Sequence, residues 1–144
     1  MKISDILAKK GSTVITISPD KSLKDAVRLM EDNNIGGLVV LDDEKLVGII
    51  TERDLIRYAA GDDPDFSKPV RGVMTRKVIV GMPQDDLHSV AHTMTEKRFR
   101  HLPVMDQGRL VGIVTIGDVL KAERDAYKGQ VHTLETMITA EGEA

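Results

Sequence analysis

Two stretches of this 144-residue chain hold residue types that could do chemistry together. Thr51 and Asp54 close the run Leu46-Val47-Gly48-Ile49-Ile50-Thr51-Glu52-Arg53-Asp54. Thr115 and Asp118 close Leu110-Val111-Gly112-Ile113-Val114-Thr115-Ile116-Gly117-Asp118. Each run reads as a buried strand that ends at a threonine and opens a helix. Such a junction gathers unpaired backbone N–H groups at the positive end of a helix dipole, which suits the hydroxyls and phosphate of a nucleotide. A carboxylate placed there offers two acceptor oxygens to a vicinal diol, and charge-assisted bonds of this type contribute about 1.5–3 kcal/mol. The same Thr-x-x-Asp spacing also approximates a capping box, which would tie up the orphan N–H groups and do nothing else. The two roles are compatible, with threonine capping while aspartate faces a cleft.

The second constellation is Arg98-Phe99-Arg100-His101, whose counterpart in the first half of the chain is Asn34-Ile35-Gly36-Gly37. The guanidinium fork matches phosphate oxygens, so Arg100 and His101 are phosphate-binding candidates, with a solvated turn as the plain alternative. Gly36 and Gly37 lack bulk and would let a flat base approach the strand backbone; a bulge or tight packing would explain them equally well. His88 and His92 are four residues apart on a helix, but no further Cys, His or Glu completes a metal set, and a solvated face accounts for them. The seven methionines read as core filler. The chain has no nucleophile elbow, no Gly-x-x-x-x-Gly-Lys loop and no acid–base pair beside a nucleophile, so an enzyme is not expected.

The elements that must position these residues come from a duplication. Sliding the sequence on itself by 64 residues aligns 14–55 with 78–119 without a gap, and fourteen of those 42 positions are identical. A unit of that size has difficulty burying a core alone, so the two copies should pack face to face. The first unit begins with a helical lead-in over 3–9 (Ile3, Ile6, Leu7), matched loosely by Val70, Val73 and Met74. A short strand over 13–17 follows, then a helix capped by Ser22, with Leu23, Ala26, Val27 and Met30 on one face. The second copy has Asp86 as cap and Leu87, Val90, Ala91 and Met94 as the face. A hairpin turns at Asp42-Asp43-Glu44, and its counterpart at Asp106-Gln107-Gly108. Closing helices are expected over 52–60 and 116–128, each stopped by a glycine. The predicted class is α+β, two βαββα repeats. Expected boundaries are 1–62 for the first repeat, 63–69 for a polar linker, 70–128 for the second repeat and 129–144 for a helical tail. In that tail Val131, Leu134, Met137 and Ile138 share a side, which suits packing on another subunit or folding back on this chain.

Composition narrows the function. Hydrophobic residues make up 41% of the chain, enough for a core. The net charge is −3 with no basic block, and two Tyr, two Phe and no Trp cannot build a base-stacking platform, so nucleic acid is not an expected partner. With no cysteine there is no disulfide framework. The opening Met1-Lys2-Ile3-Ser4-Asp5 has no apolar signal region, and no apolar run nears the roughly 20 residues of a membrane span. A cytoplasmic protein without membrane contact is expected.

Gly48-Ile-Ile-Thr51-Glu-Arg-Asp54 and Gly112-Ile-Val-Thr115-Ile-Gly-Asp118 resemble the Gly-x-x-Thr/Ser-x-x-Asp signature of CBS domains, the modules named after cystathionine β-synthase. The resemblance spans about residues 3–122 and extends to the bacterial proteins that consist of a CBS pair alone. It implies a tandem pair with pseudo-twofold symmetry, two clefts between the repeats and association into a homodimer. It also implies a non-catalytic sensor of an adenine nucleotide, AMP first, with ATP, ADP or NAD(H) as alternatives, acting on an unidentified regulated protein. By the same resemblance Arg53 reaches a phosphate in the neighbouring cleft, and the backbone at Thr16 and Val80 reads the adenine edge. An assembly module with vestigial clefts is the competing reading.

Overall fold

The computed structural model describes residues 1–126. The predicted tail contact over 130–138 and the helix stop at Gly129 lie outside the described residues. The chain runs α1 (Ile3–Lys10), β1 (Thr16–Ile17), α2 (Leu23–Asn33), β2 (Gly37–Asp42), β3 (Lys45–Thr51) and α3 (Glu52–Ala59). It continues through a 3-10 turn (Val70–Gly72) to α4 (Leu87–Lys97), β4 (His101–Asp106), β5 (Arg109–Thr115) and α5 (Ile116–Ala126). The α+β class and the tandem architecture are those predicted.

The hairpins repeat each other in detail. β2 pairs antiparallel with β3 and β4 with β5, and the register shifts between Val40 and Leu41 in one and between Val104 and Met105 in the other, 64 residues on. The turn residues Asp43 and Glu44, and likewise Gln107 and Gly108, all have positive φ. That is the geometry whose twist matches a two-residue hairpin. Ser22 and Asp86 cap α2 and α4 as expected, accepting hydrogen bonds from the N–H groups of Asp25 (3.0 Å) and Ser89 (3.1 Å). α2 and α4 both end on a left-handed residue, Asn34 and Arg98. Asparagine tolerates that conformation; arginine there is a departure the sequence did not announce.

The first strands depart from expectation. β1 is only two residues long, parallel to β2, and the second repeat has no counterpart strand. Gly81 forms a single parallel bridge to Val104, donating to the Pro103 carbonyl and accepting from the Met105 N–H. The missing bridge is the counterpart of Thr16↔Val39: Val39 is replaced by Pro103, which has no N–H to donate to the strand beside it, so only the Gly81 bridge remains. Ile17 is a core residue of the first repeat, and its counterpart Gly81 leaves room that Leu102 occupies. Val27 also departs: it turns outward from the apolar face assigned to it, at 36% exposure.

Two aliphatic cores result, and the lead-ins are exchanged between them. Ile3 and Ile6 of α1 are buried with Leu87, Val90, Met94 and Val114 of the second repeat. Val70 and Met74, which precede the second repeat, are buried with Leu23, Met30, Leu38 and Ile50 of the first. The motif glycines make this close approach possible. A Cβ on Gly48 would meet Met74 Sδ at 2.8 Å and the Thr75 carbonyl oxygen at 2.9 Å, and one on Gly112 would meet Leu7 Cδ2 at 2.6 Å. The polar stretch over 61–69 is anchored on the first repeat. The Tyr58 hydroxyl accepts from the Asp65 N–H, the Tyr58 and Phe66 rings meet edge to face at 5.6 Å, and Leu23 N–H donates to the Lys68 carbonyl.

Candidate functional site

Both Thr-x-x-Asp motifs lie where β3 meets α3 and β5 meets α5, and both make the capping arrangement. Thr51 N–H donates to Asp54 Oδ2 at 2.9 Å, and Asp54 N–H donates to Thr51 Oγ1 at 3.4 Å. The second copy repeats this with Thr115 N–H to Asp118 Oδ2 at 2.8 Å and Asp118 N–H to Thr115 Oγ1 at 3.1 Å. Both aspartates are half-buried at the helix starts. Capping uses only part of each carboxylate's acceptor capacity.

Part of the remaining capacity is engaged by the exchanged lead-ins, on the second oxygen of Asp54 and on the already capped oxygen of Asp118, through residues that the motif did not reveal. In the first repeat, Thr75 pairs with Ile49 through two backbone hydrogen bonds, and its hydroxyl donates to Asp54 Oδ1 at 3.1 Å. In the second, Lys10 Nζ donates to Asp118 Oδ2 at 2.6 Å and to the Ile113 carbonyl at 2.9 Å. Partial burial disfavours the Asp118 charge. The hydrogen bond from Lys10 and the Thr115 N–H outweigh it and hold the carboxyl below the usual aspartate range. Lys10 lies 108 residues from Asp118 in sequence, so only the exchange of lead-ins brings them together.

His101 opens β4 and is half-buried. A Cβ on Gly37 would meet its imidazole at 2.9 Å, so the space left by the missing side chain of Gly37 is taken by that ring. Gly37 and His101 are counterparts under the 64-residue shift, and equivalent positions can meet only at the pseudo-twofold axis. The neighbouring Gly36 is likewise filled by the Glu52 carboxylate. Burial pushes the His101 imidazole below its ordinary value; Glu52 opposes that, Arg100 and Lys10 add to it, and Asp118 opposes it. Lys10, Glu52, Arg100 and Asp118 are thus the charges that act on the His101 imidazole, and of these Lys10 and Asp118 are in direct contact. Arg100 is exposed at the entry to β4, where its carbonyl accepts from the Ile116 N–H at 2.9 Å.

The other candidates are more scattered. Arg53 is exposed on the first turn of α3. Thr16 lies in β1 opposite Val39. Val80, outside any strand, is 43% exposed and lines a cavity of about 360 Å³ with Asp86, Ser89, Thr93 and Phe99. A second cavity of about 400 Å³ lies between α2 and α3 and includes Gly36 and Glu52. Neither cavity is lined by Asp54 or Asp118. Among the described residues no cluster of His, Cys, Asp and Glu could hold a metal ion, and no helix is long and apolar enough to cross a membrane.

The duplicated hairpins, exchanged lead-ins and paired motifs have a counterpart among known families: the CBS domain model matches residues 3–61 and 70–125. This chain is a CBS-domain protein. Its CBS pair is similar to the CBS domain-containing protein YhcV of Bacillus subtilis, 34% identical over 117 residues that cover 81% of this chain and 84% of the relative. Among solved structures, the CBS domain NE2398 is 40% identical with a TM-score of 0.82, covering 85% of this chain and 97% of that one. Two similar CBS structures contain adenosine compounds. The CBS pair of MJ0100, with 5-methylthioadenosine and S-adenosyl-L-methionine, is 30% identical at a TM-score of 0.78, over 88% of this chain and 98% of that one. CBSX2 with AMP is 28% identical at a TM-score of 0.73, with the same coverage.

Proposed function

We propose that this CBS pair is a non-catalytic regulatory module that holds an adenine nucleotide between its repeats and passes the binding event to a regulated protein. One observation carries the reading: Asp118, capped by the Thr115 N–H, is paired with Lys10 from the other end of the chain, and Lys10, Asp118 and Arg100 all act on the half-buried His101 imidazole. A carboxylate for the ribose diol beside cations for phosphate is the chemistry a nucleotide needs. The similar structures bearing AMP, 5-methylthioadenosine and S-adenosyl-L-methionine support an adenosine-type ligand. AMP is the first candidate, with ATP, ADP and NAD(H) behind it. Thr51 and Asp54 would serve the second, less cationic cleft, Arg53 would reach a phosphate in the neighbouring one, and backbone at Thr16 and Val80 would lie against the bases. Micromolar affinity, about −8 kcal/mol, is within reach of such a set.

The test is calorimetry with AMP, ADP, ATP and NAD(H) on the wild type and on Asp118→Ala. Saturable binding that Asp118→Ala weakens by about ten-fold or more is expected, since one lost charge-assisted contact corresponds to that ratio. Unchanged affinity would remove Asp118 from the site, and no binding by any of the four would leave the second reading.

That second reading, an assembly module, rests on Ile56 and Leu120. These are equivalent positions on α3 and α5, 68% and 58% exposed. Together with Val27 beside the α2–α3 cavity they offer apolar surface to a second copy or to the regulated protein. Sedimentation of the wild type against Ile56→Glu/Leu120→Glu measures this contribution, with a dimer expected to give way to monomer.

A further inference from the structure

The two clefts differ in how their aspartates are held. In the first repeat one residue, Thr75, does two jobs: its backbone bonds Ile49 and its hydroxyl bonds Asp54. In the second repeat the same two jobs, at the counterparts Ile113 and Asp118, are done by the ammonium of Lys10. Thr75 is fixed, because its contact to Asp54 is part of a backbone bridge. Lys10 is not: its group sits on a four-carbon stem with rotatable donors, at the last residue of α1. The Lys10 side chain is 30% exposed and that of Asp118 24%. Both partners of the ion pair thus keep access to solvent, so the lysine can leave without unpacking the core.

We propose that Lys10 is a displaceable latch on Asp118, so that the C-terminal end of α1 and the diol of a bound nucleoside compete for the same carboxylate. The inference rests on the reading of Asp118 as the ribose acceptor and adds what regulates that site. When the diol arrives, Lys10 leaves Asp118 and the Ile113 carbonyl, and its charge becomes available to a ligand phosphate beside Arg100. A ligand with a phosphate repays the broken ion pair; a ligand without one does not. Lys10 therefore sets the preference of this cleft for phosphorylated nucleotides. The Asp54 cleft, held by a neutral hydroxyl, has no such preference.

The experiment uses the full chain carrying Asp54→Asn, which leaves the Asp118 cleft to be read alone, with adenosine and AMP as probes. Lys10→Met is compared with the lysine-containing parent by calorimetry, and Lys10→Gln is carried as a second variant in case the first folds poorly. With the latch removed, adenosine should bind about ten-fold more tightly, while AMP gains less or loses affinity. The AMP-to-adenosine affinity ratio should fall correspondingly. Hydrogen exchange in the parent should show residues 8–11 losing protection when AMP is added. Adenosine affinity that is unchanged or weaker in both Lys10 variants overturns the latch and leaves the nucleotide site standing. Absence of binding of either probe in the parent and in both variants overturns the nucleotide site and the latch with it.

Discussion

At the scale of single residues, His101 is the group whose charge the fold controls most visibly. Its imidazole is packed into the space left by Gly37, and burial lowers its proton affinity from the ordinary value of 6.5. A lowered value means that the unfolded chain takes up a proton first as the solution is acidified. Stability is therefore full above 6.5 and is lost as pH falls below it toward the folded-state value. Melting temperatures of the wild type should decline between about pH 7 and pH 5, and His101→Gln should flatten that slope. Asp118 behaves in a different window. Its depressed value gives a contribution present above 3.8 and lost only as pH falls further, through the folded-state value. Asp118→Asn should accordingly narrow the gap to wild type only in strong acid, a difference that thermal melts at about pH 6 and pH 3 would detect.

At the scale of elements, the two motif glycines make an unequal pair. An alanine at Gly48 meets a backbone oxygen of the Thr75 bridge, which cannot move without breaking two hydrogen bonds to Ile49. An alanine at Gly112 meets only the tip of the Leu7 side chain, which has other rotamers. Gly48→Ala should destabilise by about 1–3 kcal/mol and Gly112→Ala by clearly less, as urea denaturation would measure. Much of this level was legible from sequence. The shift of 64 residues located both hairpins, the caps and the motif junctions, because turn chemistry and capping are local signals. The second β1 was not, because the obstacle lies in the partner strand: Pro103, which has no N–H to donate, stands in the place of Val39, while the pattern of the first strand itself is little changed. Lys10 and Thr75 were hidden for another reason. Their roles depend on which repeat each lead-in packs against, and no local periodicity encodes that. The use of Gly37 was half visible: the absence of bulk could be read, but not that His101 fills it.

At the scale of the whole molecule, the exchanged lead-ins make the repeats mutually dependent. Removing residues 1–10 deletes Ile3 and Ile6 from the core of the second repeat, not of the first. Hydrogen exchange on that truncation should show protection lost first over 87–119, and Ile3→Ala in the full chain should cost about 2–5 kcal/mol. The axis gives a further expectation. Gly37→His alone crowds the His101 ring, whereas Gly37→His with His101→Gly restores one ring and one gap. Chemical denaturation should find the double variant more stable than the single one, a coupling of about 0.5–3 kcal/mol between contacting positions.

Where a residue faces its own counterpart across a rotation axis, two identical separate chains would be obliged to set the same side chain on both sides. Two imidazoles would collide there and two glycines would leave a hole. A covalently joined tandem is free of that obligation: one half can give up its side chain at position 37 so that the other can keep an ionisable ring at position 101. Fusion of the halves thus permits a centre that is lopsided in shape and charge.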